Sequence, residues 1–240
     1  MFDKLVEAFV FDNIPLLVSS AFGFAFSFYL YCQATQLVLR DGKGPWPTWL
    51  HSFYFAHDTT WTIRCLIAAS HYEWNWFLTA TSVALMGFVA LETFNLYLAV
   101  TVERQEAWGQ YYAKSVTAKE AISNVVAEII VSFCIVNVFT NFMGGECVME
   151  WFAMTVAMVV IAPVGLLRSR RTRDGYSTPL AIGTVILTAY TFSPLSLFVL
   201  ALRGVFGTTW YYLTGIVFTG VSVWNLAVVV RLPKKKTSLE

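Results

Sequence analysis

Seven apolar stretches of about twenty residues follow one another along this chain, and they constrain its fold more than any other feature. A helix of that length crosses a hydrocarbon core about 30 Å thick. Charged residues make up 13% of the chain, against roughly 25% in soluble domains. The sequence therefore predicts an all-α polytopic membrane protein, a single domain over residues 1–240 with transmembrane helices at about 13–38, 49–70, 75–102, 120–142, 147–168, 178–202 and 208–231.

The basic residues between these stretches predict the orientation, because Lys and Arg accumulate in cytoplasmic loops. With a lumenal or extracellular N-terminus, 13 of the 16 Lys and Arg residues lie on the cytoplasmic side. Lys4 and Arg203 lie opposite, and Arg64 falls inside the second helix. We therefore expect an outer N-terminus and a cytoplasmic C-terminus. Topology and contact with anionic lipid headgroups account for the basic loops, and we expect no nucleic-acid partner.

Polar side chains inside the predicted helices are the candidate functional residues, because a central Asp or Arg costs roughly 2.5 to 3.5 kcal/mol on insertion. Asp58, Glu92, Glu128 and Asn225 lie on four different helices. At about 1.5 Å per residue, all four fall between the midplane and the cytoplasmic face. The sequence therefore predicts that they line one polar cavity open toward the cytoplasmic half.

The second helix contains the stretch FYFAHDTTWTI, Phe53 to Ile63, with an acid among aromatic residues. An apolar environment disfavours the charged carboxylate, so we expect Asp58 to stay protonated and to act as an acid near neutral pH. His57 projects about 100° away around the helix and is interpreted mainly as a structural hydrogen-bonding residue. Helical spacing places further candidate substrate-binding residues on the face of Asp58: His51, Tyr54, Phe55, Trp61 and Thr62.

An acid beside aromatic faces suits carbocation chemistry. A protonated carboxyl can activate an epoxide or alkene, and aromatic rings can stabilise the resulting cation. Asp58 and Glu92 are the predicted catalytic pair. Glu128 is the alternative to Glu92 as the second member of the pair. We favour Glu92 because the depth of Glu92 is closest to that of Asp58. The expected substrate is a lipophilic prenylated small molecule, and membrane lipids are the other partners. We expect no cofactor, no metal site and no obligate protein partner.

Two short stretches carry a resemblance to a known family. Phe55 to Asp58, FAHD, and Leu166 to Thr184, LLRSRRTRDGYSTPLAIGT, resemble motifs of the integral-membrane terpene cyclases of fungal meroterpenoid and indole-diterpene biosynthesis. The resemblance implies seven helices and a cyclase activity in which Asp58 is the acid. The second acid of that family lies in the last of the seven transmembrane helices, where this chain has Asn225 instead.

Two other functions stay open. A transporter built of three, one and three helices would bind a polar solute near the midplane, although residues 13–102 and 147–231 show no convincing similarity. A sterol or lipid isomerase would use the same acids on an alkene.

The tail bears on location. If Leu239 and Glu240 are vector-derived, the chain ends in KKTS, Lys235 to Ser238, which resembles a di-lysine retrieval signal of the endoplasmic reticulum. Ordinary juxtamembrane charge is the alternative explanation of these lysines.

Overall fold

The protein is helical throughout the part that the computed structural model describes, residues 1–233. In that part 80% of the structure is helix and no strand occurs, which confirms the all-α prediction. Lys235 to Ser238, the candidate retrieval signal, lie outside the described residues.

The helices follow one another in the order expected from the apolar stretches. A π-helix, Ala99–Glu103, and a 3₁₀-helix, Gly109–Tyr111, continue the fourth α-helix. The α-helices of residues 1–233 are α1 Phe2–Ala8, α2 Ile14–Asp41, α3 Thr48–His71, α4 Trp76–Leu98, α5 Arg104–Trp108, α6 Ala118–Phe142, α7 Val148–Ile161, α8 Pro163–Ser169, α9 Thr178–Thr191, α10 Leu197–Ala201, α11 Arg203–Phe206 and α12 Thr209–Arg231.

Five helical stretches within residues 1–233 are long and apolar enough to cross a membrane. They coincide with five of the seven predicted transmembrane helices, and they are Ile14–Asp41, Trp76–Tyr111, Ala118–Phe142, Val148–Ser169 and Thr209–Arg231. The two predicted helices not among them correspond to α3 and to α9 with α10.

These two differ from the five for separate physical reasons. The 24 residues of α3 reach about 36 Å, but its many polar side chains lower its hydropathy. The 14 residues of α9 reach only about 21 Å. The continuous helix predicted over 178–202 is therefore wrong: Pro194 lacks a backbone N–H and disfavours helical conformation at Ser193, so α9 ends at Thr191 and α10 begins at Leu197.

The position of α3 in the bundle determines where its polar residues can find partners. It packs most extensively against α4 and next against α6, and it also contacts α7. The turn into α4 is capped by Asn75, whose side-chain oxygen accepts hydrogen bonds from the amides of Phe77 at 3.0 Å and Leu78 at 3.4 Å. The central hydrophobic cluster of the protein surrounds this helix.

Three loops at one end of the bundle meet around Arg170. Its guanidinium donates two hydrogen bonds of 3.1 Å to the carboxylate of Glu106 and a third to the carbonyl of Asp174. The amide of Gly175 donates to Asp41 at 3.0 Å. The stretch 166–184, which carries part of the family resemblance, is thus tied to the ends of α2 and α5.

Gly175 should be required for this junction. It has φ of 75°, and an added Cβ would lie 2.7 Å from the carbonyl oxygen of Lys43 and 3.0 Å from that of Gly44. The left-handed conformation alone costs an alanine about 1–2 kcal/mol. We expect Gly175→Ala to lower the thermal unfolding midpoint of the full-length protein in detergent, followed by circular dichroism.

Gly165→Ala is the matched control. Gly165 lies in α8 with no heavy atom within 4 Å of an added Cβ, and alanine is favoured over glycine in a helix by about 1 kcal/mol. Equal midpoints for the two variants would contradict the proposed importance of the Gly175 turn.

Candidate functional site

Two carboxyl groups in the bundle are each paired with a histidine of α3. Nδ1 of His57 lies 2.7 Å from Oδ1 of Asp58, and Nδ1 of His51 lies 2.7 Å from Oε2 of Glu92. All four side chains are buried, and Glu92 has no exposed surface. Pairing offsets part of the cost of burying these groups, because a buried charge without a partner is strongly unfavourable.

The contact between His57 and Asp58 differs from the expectation that His57 points away. Adjacent residues of a helix do not normally face each other. Here both side chains lie inside the apolar bundle, with His57 1% and Asp58 6% exposed, and each is a hydrogen-bond partner for the other. His57 is therefore part of the candidate site.

His57 and Asp58 line a cavity of about 120 Å³ in the middle of the bundle. We call it the aromatic cavity, because eight of its twenty lining residues are Phe, Tyr or Trp. Asp58 is the one carboxyl among these twenty. The lining comes from α2, α3, α4, α7, α9, α10 and the loop before α3: Gly23, Phe24, Ser27, Leu30, Tyr31, Trp46, Tyr54, His57, Asp58, Leu85, Phe88, Phe152, Thr155, Val156, Val159, Leu187, Tyr190, Thr191, Leu197 and Phe198.

The aromatic side chains of the cavity are held by their own contacts. The Tyr54 hydroxyl donates to the carbonyl of Thr155 at 2.6 Å. The ring of Tyr31 meets those of Trp46 and Phe88 edge-on, with centroids 5.1 Å apart in both cases. These contacts fix the ring orientations, so the cavity presents preorganised aromatic surfaces beside the carboxyl group.

The hydrogen bonding of the pair determines which of its atoms can react. Oδ1 of Asp58 is occupied by His57, so Oδ2 is the carboxyl oxygen available to a molecule in the aromatic cavity. Nε2 of His57 is buried without a hydrogen-bond partner. An Nδ1–H tautomer of His57 donates to Asp58 and stabilises a carboxylate there.

The four polar residues predicted to share one cavity are separated in the structure. Asp58 lines the aromatic cavity, but Glu92, Glu128 and Asn225 are not among its lining residues. Their predicted depths in the membrane stay predictions. The rotation of each helix about its axis, which depth does not reveal, directs the side chains to different neighbours.

Each of the other three has its own partners. Glu92 is held by His51, and Oε1 of Glu92 is buried without a partner. Asn225 donates from Nδ2 to the carbonyl of Val160 at 2.8 Å and ties α12 to α7. Glu128 lies in a second concavity, which we call the Glu128 recess and which is lined by Trp108, Tyr111, Tyr112, Asn124, Ala127 and Glu128. Their predicted roles in catalysis or substrate binding stay predictions.

The predicted aromatic and polar face of α3 is only partly in the cavity. Tyr54 lines it, whereas His51, Phe55, Trp61 and Thr62 do not. The ring of Phe55 faces Phe133 of α6, and Trp61 is fully buried with the guanidinium of Arg64 5.8 Å from its ring centre. The carbonyl of Thr62 accepts a hydrogen bond from Ser82 of α4. A face extending from His51 to Thr62 is about 16 Å long, which exceeds the cavity.

Several cavity residues were not identified from the sequence. They lie on helices other than α3 and are Phe24, Tyr31, Phe88, Phe152 and Tyr190. Helical periodicity within one helix cannot show which side chains of separate helices converge. The place of His57 in the site could have been predicted, because a His–Asp pair inside an apolar stretch is itself a candidate proton-transfer unit.

The described residues also bear on metal binding. Among residues 1–233, no three His, Cys, Asp or Glu side chains are grouped so that they could hold a metal ion.

We compared the chain with protein-family models, with curated proteins and with solved structures, and none of the three comparisons gave a match.

The His51–Glu92 pair should contribute strongly to stability. Removing one partner of a buried pair typically costs about 3–5 kcal/mol, so we expect His51→Gln and Glu92→Gln each to destabilise the protein. The double variant should lose less unfolding free energy than the two single variants lose in sum. Chemical unfolding of the full-length protein in detergent measures this coupling.

Glu120→Gln is the control for loss of a carboxylate. Glu120 belongs to the capping box of α6, and Gln preserves such a box, so this variant should unfold close to wild type. Strictly additive effects of His51→Gln and Glu92→Gln would show that the contact between them does not carry the stabilisation.

Proposed function

We propose that the protein is a membrane enzyme that protonates a lipophilic prenylated substrate and guides its carbocation to a cyclised product. One observation carries this proposal: the His57–Asp58 pair lies at the wall of a mostly apolar cavity in which eight of the twenty lining residues are aromatic. The family resemblance of residues 55–58 and 166–184 points to the same chemistry.

The proposed reaction begins with transfer of a proton from Oδ2 of Asp58 to an alkene carbon or an epoxide oxygen. The Asp58 carboxylate that remains accepts the hydrogen bond from Nδ1–H of His57, which lowers the cost of forming it. Asp58 is thus the catalytic acid, and His57 is a positioning residue.

The cation then moves through the substrate as further alkenes attack it. The faces of aromatic residues such as Tyr31, Phe88 and Phe152 stabilise positive charge without forming a bond to it. Loss of a proton from the last cation completes the product, and return of a proton to Asp58 restores the acid. Substrate and product therefore have the same mass.

The size of the cavity suggests which part of the substrate it takes. A volume of about 120 Å³ is close to that of an engineered cavity of about 150 Å³ that binds benzene. We infer that the reacting end of the prenyl chain enters the aromatic cavity first and that the rest of the substrate extends from it.

The proposal includes a topology of seven transmembrane helices. The five long apolar stretches are completed by α3 and by α9 with α10, with the N-terminus outside or in the lumen and the C-terminus in the cytoplasm. The basic loops support this orientation, and the endoplasmic reticulum is the proposed location.

Activity is tested by incubating membranes containing the full-length protein with linear prenylated substrates, with and without a terminal epoxide. We expect ring-closed isomers of unchanged mass by chromatography and mass spectrometry. Asp58→Asn keeps the shape but lacks the acidic proton, and its rate should fall by about 10² to 10⁴. Glu120→Gln should react at the wild-type rate.

His57→Gln separates positioning from chemistry. We expect partial activity with an altered dependence of rate on pH, because the remaining carboxyl has lost its partner. Folded Asp58→Asn at the wild-type rate would contradict the mechanism. Products with a shifted double bond and no ring would indicate a lipid isomerase, and solute uptake into proteoliposomes without any reaction would indicate a transporter.

The proposed orientation predicts opposite accessibility of two exposed loops. Asp12 and Ser115 are both exposed, so Asp12→Cys and Ser115→Cys can be labelled with a membrane-impermeant thiol reagent in sealed microsomes. Only Ser115→Cys should react before permeabilisation, after subtraction of the signal from the native cysteines. Labelling of Asp12→Cys instead would reverse the orientation.

A further inference from the structure

The Glu128 recess lies apart from the aromatic cavity and has a different chemical character. Its volume is about 520 Å³, within the roughly 300–1,000 Å³ of typical ligand sites. Half of its six lining residues are aromatic, and one is a carboxylate. It is formed where the segment Arg104–Tyr111 meets the first turns of α6.

The carboxylate of Glu128 is held by neutral groups. Oε1 accepts a hydrogen bond from the indole N–H of Trp108 at 3.1 Å, and Oε2 accepts one from the hydroxyl of Ser52 at 3.0 Å. None of the salt bridges found within residues 1–233 includes Glu128. Arg104, close by in sequence, donates its hydrogen bonds to backbone carbonyls instead. Within residues 1–233, Glu128 is therefore an oriented carboxyl group that forms no salt bridge.

Three aromatic residues share the lining of the recess with this group. Trp108 is held against Glu128 by its own N–H. The hydroxyl of Tyr112 is fixed by Asn124, whose Nδ2 donates to it at 3.1 Å. Tyr111 is 73% exposed and forms the outer part of the lining. Aromatic rings together with a carboxylate are the groups that recognise an organic ammonium ion, since the ring faces attract a cation.

The position of the recess identifies the source of such a cation. Asn124 and Glu128 lie about 9–15 Å along α6 from its first residue, and Trp108 and Tyr111 lie at the end of the apolar stretch Trp76–Tyr111. Ala127 in the lining is exposed, and so are its neighbours on the same helix, Val126 and Ile130. The recess therefore opens on an apolar flank, beside the end of the stretch Trp76–Tyr111 and in the first half of α6, two helical stretches that can cross a membrane.

We propose that the Glu128 recess binds the ammonium headgroup of a membrane phospholipid such as phosphatidylcholine. Glu128 supplies the countercharge, and Trp108, Tyr111 and Tyr112 supply the aromatic faces. This site does not depend on the proposed enzymatic function, and it gives Glu128 a role outside the aromatic cavity.

The test measures which lipids stay on the full-length protein. Wild type and variants are reconstituted in nanodiscs of equal phosphatidylcholine and phosphatidylglycerol, transferred to dodecyl maltoside, and analysed for retained lipid by mass spectrometry. We expect wild type to retain phosphatidylcholine preferentially. Glu128→Gln and the double variant Tyr111→Leu/Tyr112→Leu should lose this preference by about threefold or more.

Matched variants separate binding from folding. Glu120→Gln removes a carboxylate near the start of the same helix and should retain lipid like wild type. Tyr112→Phe keeps the aromatic ring but loses the hydroxyl that Asn124 holds, and it should retain more phosphatidylcholine than the variant Tyr111→Leu/Tyr112→Leu. Gel filtration and thermal unfolding select the variants that fold normally. If the double variant does not fold, Tyr111→Leu alone takes its place, because it changes only an exposed side chain.

Competition distinguishes a lipid from a free cation. Tetramethylammonium chloride should displace the retained phosphatidylcholine from wild type, and sodium chloride at the same concentration should not. Binding of choline that depends on Glu128, without any preference among lipids, would assign the recess to a soluble ammonium compound and overturn the lipid proposal. Equal lipid retention by wild type and all variants, with no effect of tetramethylammonium, would show that Glu128 is only a tie between helices.

Discussion

The arrangement of the bundle depends on satisfying the polar side chains that α3 carries into an apolar interior. Each such group is costly without a partner, and most of the partners come from other helices. α4 supplies Glu92 to His51, α6 supplies Glu128 to Ser52, and α7 supplies a backbone carbonyl to Tyr54. The polarity that keeps α3 from resembling an ordinary membrane-spanning helix is thus what holds its neighbours in place.

The His57–Asp58 pair differs from these contacts between helices. Both members belong to α3, so the pair ties no second helix to it, and it borders the aromatic cavity. A buried polar pair that does not join two helices is poorly explained by packing alone. Paired ionisable groups at the wall of a concave, mostly apolar site are the usual default for a functional centre, and this is why we place the chemistry there.

Much of the fold could be predicted from the sequence because a membrane demands apolar helices of a set length. The stretches predicted at 120–142 and 208–231 correspond to Ala118–Phe142 and Thr209–Arg231. The break around Pro194 was missed because the apolar composition continues on both sides of it. Here the local backbone chemistry of proline prevailed over hydropathy.

The sequence predicted only those residues of the candidate site whose position follows from the periodicity of a single helix. Asp58 and Tyr54 share a face of α3 and both line the cavity. Glu128 faces Trp108 instead of the aromatic cavity, and Asn225 faces a backbone carbonyl. Residue spacing gives the height of a side chain in the bundle, but the rotation of one helix relative to another depends on packing that one sequence does not reveal.

In the proposed seven-helix topology, the polarity of α3 also bears on how the chain enters a membrane during synthesis. Asp58 and Arg64 would each add roughly 2.5–3.5 kcal/mol to the cost of inserting α3 alone, which its apolar residues only partly offset. The turn between α3 and α4 has only four residues, and two of them, Glu73 and Trp74, have positive φ. Such a tight connection keeps α4, a far more apolar helix, directly beside α3. The two are therefore suited to partition into lipid together, as a helical hairpin in which the second helix carries the first.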